Sequence, residues 1–290
     1  MTTILVTGAS GQLGSEIREL AARYGGYEFL FTDVAELDIT NPGATAAFIR
    51  EHSPSWIINC AAYTAVDRAE DEEEQATLIN GTAVENIVKA IDGTDCRLIH
   101  ISTDYVFDGT SATPYMETDQ PSPASAYGRS KLAGEKAAMS WPHTMLIRTS
   151  WLYSSYGNNF VKTILRKAGS SQGINVVFDQ VGSPTYAADL ASAILEVISG
   201  VIRNRHIFVP GIFNFSDEGV CSWYDLAVEI VAAAGSECTV TPVRSEAYPS
   251  KVKRPAYSVL DKSKIRECYG LMIPHWRQSL IKCISKINRQ

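Results

Sequence analysis

Long apolar runs are missing from this 290-residue chain, and none approaches the length needed to cross a bilayer. An excess of positive charge is missing too. Lys and Arg number 26 against 32 Asp and Glu, giving a net charge of -6, and the basic residues are scattered. That balance argues against a nucleic-acid partner held by bulk charge. Cysteine is sparse and unpatterned. Cys60, Cys96, Cys221, Cys238, Cys268 and Cys283 form no Cys-x-x-Cys pair, and none stands near a His at zinc-ligand spacing. Free thiols in a reducing compartment are expected, with no metal site. Met1-Thr2-Thr3 leads into an apolar strand pattern with no basic segment followed by a long apolar one, so a cytoplasmic location is expected. No internal repeat or low-complexity segment occurs. What is present is ordinary for a globular protein, 45% hydrophobic and 20% charged, and long enough for one large domain or two modest ones.

Along the chain, short β-branched runs alternate with helical periodicity. Strands are predicted at Thr3–Thr7, Tyr27–Thr32, Trp56–Cys60, Arg97–Ser102 and Thr144–Ser150. Helices are predicted after Gly14, from Pro42 to His52, from Gln75 to Ala90, and from Tyr127 through Met139. The acidic run Glu70 to Glu74 reads as a solvated first helical turn matched to the helix dipole. Five strands alternating with helices in 1–150 imply a parallel sheet with right-handed crossovers. In 151–290 the pattern loosens. Helices are predicted over Asn158–Ala168, Ala187–Ile198, Asp261–Tyr269 and Pro274–Ile287, and strands at Ile174–Phe178 and Ile212–Phe215. Ser222 and Asp225 have capping-box spacing at the start of a helix that ends before Gly235. This half is expected to add elements to the first sheet while forming a smaller lobe, with the boundary interleaved.

The first strand runs into Gly8-Ala-Ser-Gly11-Gln-Leu-Gly14 and then a helix. Strand, glycine turn and helix is the arrangement that faces backbone N–H groups and a helix N-terminus toward a pyrophosphate. Asp33, about 20 residues past that turn, suits the hydroxyls of an adenosine ribose. In an open parallel sheet the ligand lies off the carboxyl ends of the strands, which is where Ser102, Thr103, Asp104 and Tyr105 fall. Tyr127 and Lys131 follow at i, i+4, one turn apart on one helix face. A lysine there is expected to lower the phenol's pKa, making Tyr127 a proton donor to a ketone oxygen with Thr103 as a second hydroxyl.

Several stretches carry a resemblance. They are Gly8–Gly14, Asn59-Cys-Ala-Ala-Tyr-Thr-Ala-Val-Asp67, Ser102-Thr-Asp-Tyr-Val-Phe-Asp-Gly109, Tyr127-Gly-Arg-Ser-Lys-Leu-Ala-Gly-Glu135, Arg148-Thr-Ser-Trp-Leu-Tyr153, Gly157-Asn-Asn-Phe160, Asp179-Gln-Val-Gly-Ser-Pro-Thr185 and Arg254-Pro255. In this order they resemble the extended short-chain dehydrogenase/reductases and, within them, the dTDP-4-dehydrorhamnose reductases. The resemblance implies an α/β fold, a Rossmann-like doubly wound parallel sheet with a smaller C-terminal substrate-binding lobe. It implies reduction of the 4-keto group of a dTDP-linked 6-deoxy sugar by NADPH or NADH, the last step to dTDP-L-rhamnose. It places Gln12, Leu13, Asp38, Ile39, Ala62, Tyr63, Thr64 and Ser102 along the cofactor, with Gly8, Gly11, Gly14, Asp33, Tyr127 and Lys131. It places Thr103, Asp104, Trp151 and Arg254 against the sugar nucleotide. Tyr63 stands where the family often carries His. A homodimer is one state the resemblance allows.

Two other readings stay open. A nucleotide-sugar dehydratase typically has Asp-Glu after the active-site Thr, whereas this chain has Asp104-Tyr105 and lacks that base. An epimerase is untouched by that argument. A regulatory subunit resembling that of methionine adenosyltransferase keeps the dinucleotide fold without needing the acid. Intact Thr103, Tyr127 and Lys131 speak against it.

Overall fold

In the computed structural model, which describes residues 2–248 and 250–289, six strands form one parallel sheet. They are β1 (Thr2–Thr7), β2 (Tyr27–Thr32), β3 (Trp56–Asn59), β4 (Arg97–Thr103), β5 (Thr144–Thr149) and β6 (Gly211–Phe215). Residues 1 and 290, the outer ends of the two halves expected from the sequence, lie outside the described residues. The strand order is β6-β5-β4-β3-β1-β2. The run from β3 to β6 extends on one side of β1, and β2 lies on the other. The order therefore reverses between β1 and β3, and a crevice opens at the carboxyl ends there.

Alternation within each strand sorts the core into two layers. Ile4, Val6, Trp56, Ile58, Ile99, Met145, Ile147, Phe213 and Phe215 face one layer. Its helices are α1 (Gln12–Ala21) and a long apolar helix, Ala187–Ile202, from the second half. Leu5, Ile57, Leu98 and Leu146 face the other layer, packed by Ile49 of helix Pro42–His52, by Val84 and Ile87 of helix Ala83–Ile91, and by Ala138 of helix Ala126–Met139. The inner strands are buried on both faces, which is why they read as short runs rich in apolar residues. The second half contributes β6 and the Ala187–Ile202 helix to the sheet domain. The short helix Ser263–Tyr269 also packs on the sheet, through Ile265 and Tyr269. Other elements of this half make a separate cluster around Val161, Ile174, Tyr153, Leu226, Ile230 and Trp276.

Some elements differ from expectation. The helix predicted from Gln75 to Ala90 is three pieces: an α turn at Glu73–Thr77, a π turn at Leu78–Thr82, and an α-helix at Ala83–Ile91. A strand at Thr239–Val243, unpredicted, pairs in parallel with Gly173–Val177. Pro242 lacks an N–H and confines such a strand to a sheet edge, as here in a two-stranded sheet. The Ser222/Asp225 capping box is present at the start of helix Trp223–Ala233. The six cysteines are free. Among the described residues, no helix is long and apolar enough to cross a membrane.

Candidate active site

At the carboxyl end of β1 the chain turns through Gly8, whose φ is +64°. A Cβ at Gly8 would lie 2.6 Å from the Ala61 backbone, and one at Gly14 would lie 2.5 Å from Ala9 Cα and the Gly8 carbonyl. Only glycine lets the turn pack this closely against the chain leaving β3. Gly11 caps α1 without a side-chain hydrogen bond, so the helix N-terminus is free to face a ligand. Asp33 is tied to this turn. Its carboxylate accepts from the N–H of Ser10 (2.9 Å) and of Val34 (2.8 Å). Burial opposes its charge, but those backbone donors win and hold its pKa below the usual carboxylate value.

A cleft of about 870 Å³ runs from Asp33, Asp38 and Ile39 past the glycine turn to Ser102, Thr103, Tyr127 and Lys131. The free helix end, the glycine cradle and the length of the cleft fit a nicotinamide dinucleotide. Leu13 lines the cleft while its side chain belongs to the buried core. The Gln12 side chain accepts from Asn159 Nδ2 (2.9 Å), joining the turn to the second half of the chain. Asp38 accepts from the N–H and hydroxyl of Thr40. Ala62 and Thr64 line the cleft.

Tyr63 does not line the cleft. Its phenol donates to Glu72, which also takes the Arg68 guanidinium, and its backbone is held at both N–H and C=O by the Asn80 amide. Its side chain is thus committed to Glu72 rather than turned into the cleft. The acidic run is likewise more than a solvated turn. Glu70 accepts the Ala126 N–H (2.8 Å) at the start of the Tyr127 helix, and Glu73 pairs with Arg129 of that helix. Asn80 sits in the π turn, from which its amide also reaches the Ser130 hydroxyl (2.9 Å). Local π geometry of this kind often marks functional regions.

The Thr103 hydroxyl donates to Asp104 Oδ1 (2.9 Å) and accepts the Tyr105 N–H. Asp104 is buried, and burial raises its pKa to about 6 against hydrogen bonds that favour the charge. Oδ1 is taken by Thr103, while Oδ2 is buried. Ser102 forms part of the cleft wall, but its hydroxyl turns away to Glu135 (2.6 Å).

Tyr127 and Lys131 share a helix face and both border the cleft, yet the expected electrostatic effect is absent. Lys131 Nζ donates to the Ile101 carbonyl (2.7 Å), and burial lowers its pKa to about 8. The Tyr127 phenol is pushed well above its ordinary value, mainly by burial. The hydrogen-bonding influence of Thr103 opposes that rise without offsetting it, and Lys131 is not among the groups acting on it. Spacing fixed the face, but desolvation outweighed the charge. The phenol stays protonated through neutral pH, as an acid requires.

A second cavity of about 1220 Å³ lies beyond, among residues of the C-terminal lobe. Thr64, Val66, Trp151, Leu152, Asn159, Trp223 and Arg254 border both spaces. They form a neck between the two cavities, and Thr103 and Tyr127 line the first of them. Trp151 holds a left-handed backbone, φ +49°, rare for a bulky residue. Trp223, not singled out from the sequence, stacks on it with ring centroids 3.6 Å apart. Only the capping box had marked that position. Arg254 donates to Asp67 (3.0 Å) at the rim.

Hydride transfer to a carbonyl needs a dinucleotide seat and a hydroxyl acid beside it, and the glycine turn, Thr103 and Tyr127 line one cleft. The class is an NAD(P)-dependent oxidoreductase of the short-chain type. Comparison with known proteins narrows it. Residues 1–289 match the family model described as RmlD substrate binding domain, and the chain belongs to that family. It is 39% identical over 287 residues to a dTDP-4-dehydrorhamnose reductase of Aggregatibacter actinomycetemcomitans, covering 97% of each chain. Among solved structures, a dTDP-4-dehydrorhamnose reductase of Clostridium acetobutylicum is 41% identical with a TM-score of 0.92, covering 99% of this chain and 100% of that one. The enzyme of that name from Bacillus anthracis, solved in complex with NADP, is 37% identical with a TM-score of 0.93 and the same coverage.

Proposed function

We propose that this chain reduces the 4-keto group of dTDP-4-dehydro-L-rhamnose to give dTDP-L-rhamnose, with NADPH or NADH as reductant and Tyr127 as proton donor. The observation that carries the reading is that Thr103 and Tyr127 line the dinucleotide cleft, which opens through a neck of shared residues into the second cavity. The family membership and the activity for which its relatives are named support the choice of sugar nucleotide.

The nicotinamide supplies a hydride when bound. The chain's part is to seat the sugar, exclude water and manage the proton. As the ketone oxygen gains negative charge, the Tyr127 phenol donates its proton to it, while the Thr103 hydroxyl turns from Asp104 to offer a second hydrogen bond. In this reading Lys131, whose ammonium donates to the Ile101 carbonyl and borders the cleft, holds the ribose at the nicotinamide end. Trp151 walls the neck, and Arg254 lies at its rim for the diphosphate. With tyrosine rather than glutamate at Tyr105, the site lacks the base a dehydration would need.

The test is oxidation of NADPH or NADH by the purified protein on addition of dTDP-4-dehydro-L-rhamnose. Turnover is expected. Tyr127→Phe should lower kcat roughly 10²–10⁴-fold with cofactor affinity changed less than about twofold. Full activity in that variant removes Tyr127 as the donor. A wild-type protein that binds the cofactor but never oxidises it favours the regulatory-subunit reading.

A further inference from the structure

Trp151 is wedged on two sides. Trp223 stacks on it at 3.6 Å with the planes 7° apart. Gly182 lies so near its edge that a Cβ there would come within 2.6 Å of Trp151 Cε2. Both neighbours are set by one short ladder, in which Cys221 pairs with Gly182 and Ser222 with Val181. Ser222 then caps the next helix. Its hydroxyl accepts the Asp225 N–H (3.1 Å), and Asp225 accepts the Ser222 N–H (2.9 Å), so Trp223 becomes the first helical residue. Phe160 packs against Trp223, with ring centroids 4.6 Å apart. The left-handed backbone at Trp151 is thus matched by a ring slot built in the C-terminal lobe, and both indoles border the two cavities where they join.

We propose that Trp223 is a positioning residue for the sugar. By stacking on Trp151 it fixes that indole as a flat apolar wall of the neck, against which the 6-deoxy ring is held with its keto carbon toward Thr103 and Tyr127. This rests on the reading of the neck as the sugar's seat. An aromatic face suits a ring that carries a methyl group in place of a hydroxyl, because the methyl needs no hydrogen-bond partner. Without Trp223, the Trp151 ring loses its backing and the sugar loses a defined orientation, while the glycine turn and the diphosphate rim are untouched.

The experiment compares dTDP-L-rhamnose with dTDP alone by calorimetry on the cofactor-loaded protein, for wild type, Trp223→Ala and Trp223→Phe. Wild type should bind the sugar nucleotide more tightly than dTDP. Trp223→Ala should lose about tenfold in affinity for dTDP-L-rhamnose and leave dTDP binding unchanged, with Trp223→Phe restoring most of the loss because it keeps an aromatic face. In turnover, the Ala variant should raise KM for the sugar nucleotide and leave KM for the cofactor in place. If Trp223→Ala keeps the full advantage of the sugar nucleotide over dTDP, or weakens dTDP by the same factor, the positioning role is wrong. If wild type itself shows no such advantage, the proposed substrate fails, and this role with it.

Discussion

Behind Tyr127, Ser102 donates to Glu135, and Glu135 takes the Arg148 guanidinium through two bonds of 2.9 and 2.7 Å, with the paired side chains only 1% and 4% exposed. Across the second cavity, residues 250–254 reach residues 67–71 through charges in solvent. Lys251 pairs with Asp71 (2.6 Å, 65% and 62% exposed), Arg254 with Asp67 (3.0 Å, 37% and 48% exposed), and the Ser250 hydroxyl donates to Asp67. The bond lengths are similar, but the surroundings are not. In the interior a charge that loses its partner has no water to turn to, so the wall behind the acid is fixed. At the surface the same contact competes with water and salt on nearly equal terms, so the rim can exchange one anion for another. On the proposed function, the chain holds its reacting hydroxyls on the first kind of support and its route for the charged substrate on the second.

The comparison breaks most readily at Arg148. Arg148→Met strands Glu135 in the core and should destabilise the fold by roughly 3–5 kcal/mol, read as a fall in the urea midpoint. Replacing both partners by apolar residues should cost less than the single change, because no unpaired charge is left. A single-variant loss under about 1 kcal/mol would place this pair in the same class as the surface ones.

Asp104 sharpens the point with pH. Its native carboxyl holds a proton up to about pH 6, whereas in the unfolded chain it lets go near its ordinary value of 3.8. Between those values the native state binds more protons, so its contribution to stability falls as pH rises from about 4 to about 6 and is level above. Asp217 and Asp189 are also raised by burial and act in the same sense, so the wild-type curve alone does not isolate Asp104. The difference between wild type and Asp104→Asn does. The variant should lack a pH-dependent loss of at most on the order of 3 kcal/mol across that window. Equal slopes in the two proteins would mean that Asp104 ionises in the fold as it does in water.

The same contrast explains what could be read in advance. The strands of the sheet were legible because burial of their central residues leaves short runs rich in apolar side chains, and the glycine turn and the Ser222 box because backbone geometry demands particular residues there. Tyr127 and Lys131 were legible as a shared helix face. Where the ammonium goes was not: helical spacing says nothing of the Ile101 carbonyl that captures it, and residue type says nothing of the burial that sets the phenol. The π turn at Leu78–Thr82 leaves the apolar pattern of its helix nearly intact, so the helix reads as continuous. Tyr63 and Trp223 are decided by partners far along the chain or by a two-residue ladder, neither of which has a local signature.

The smallest effect belongs to the rim. Asp67→Asn removes the charge that Arg254 and the Ser250 hydroxyl share, but both are near water and can be solvated in its place. The stability change should stay within roughly 1 kcal/mol and shrink further as salt is added. The informative readout is ligand affinity. Arg254 lies on the border of both cavities, and in the native rim its guanidinium is partly neutralised by Asp67. An anionic diphosphate arriving there must replace that carboxylate. With asparagine in its place the guanidinium carries its full charge toward the ligand, so dTDP should bind up to a few-fold more tightly at low salt, roughly the 0.2–1 kcal/mol of an exposed pair, and indistinguishably at high salt. Weaker binding of dTDP would show that Asp67 orients Arg254 for the phosphates instead of competing with them. A loss of several kcal/mol in stability would show that the rim is as fixed as the wall behind Tyr127.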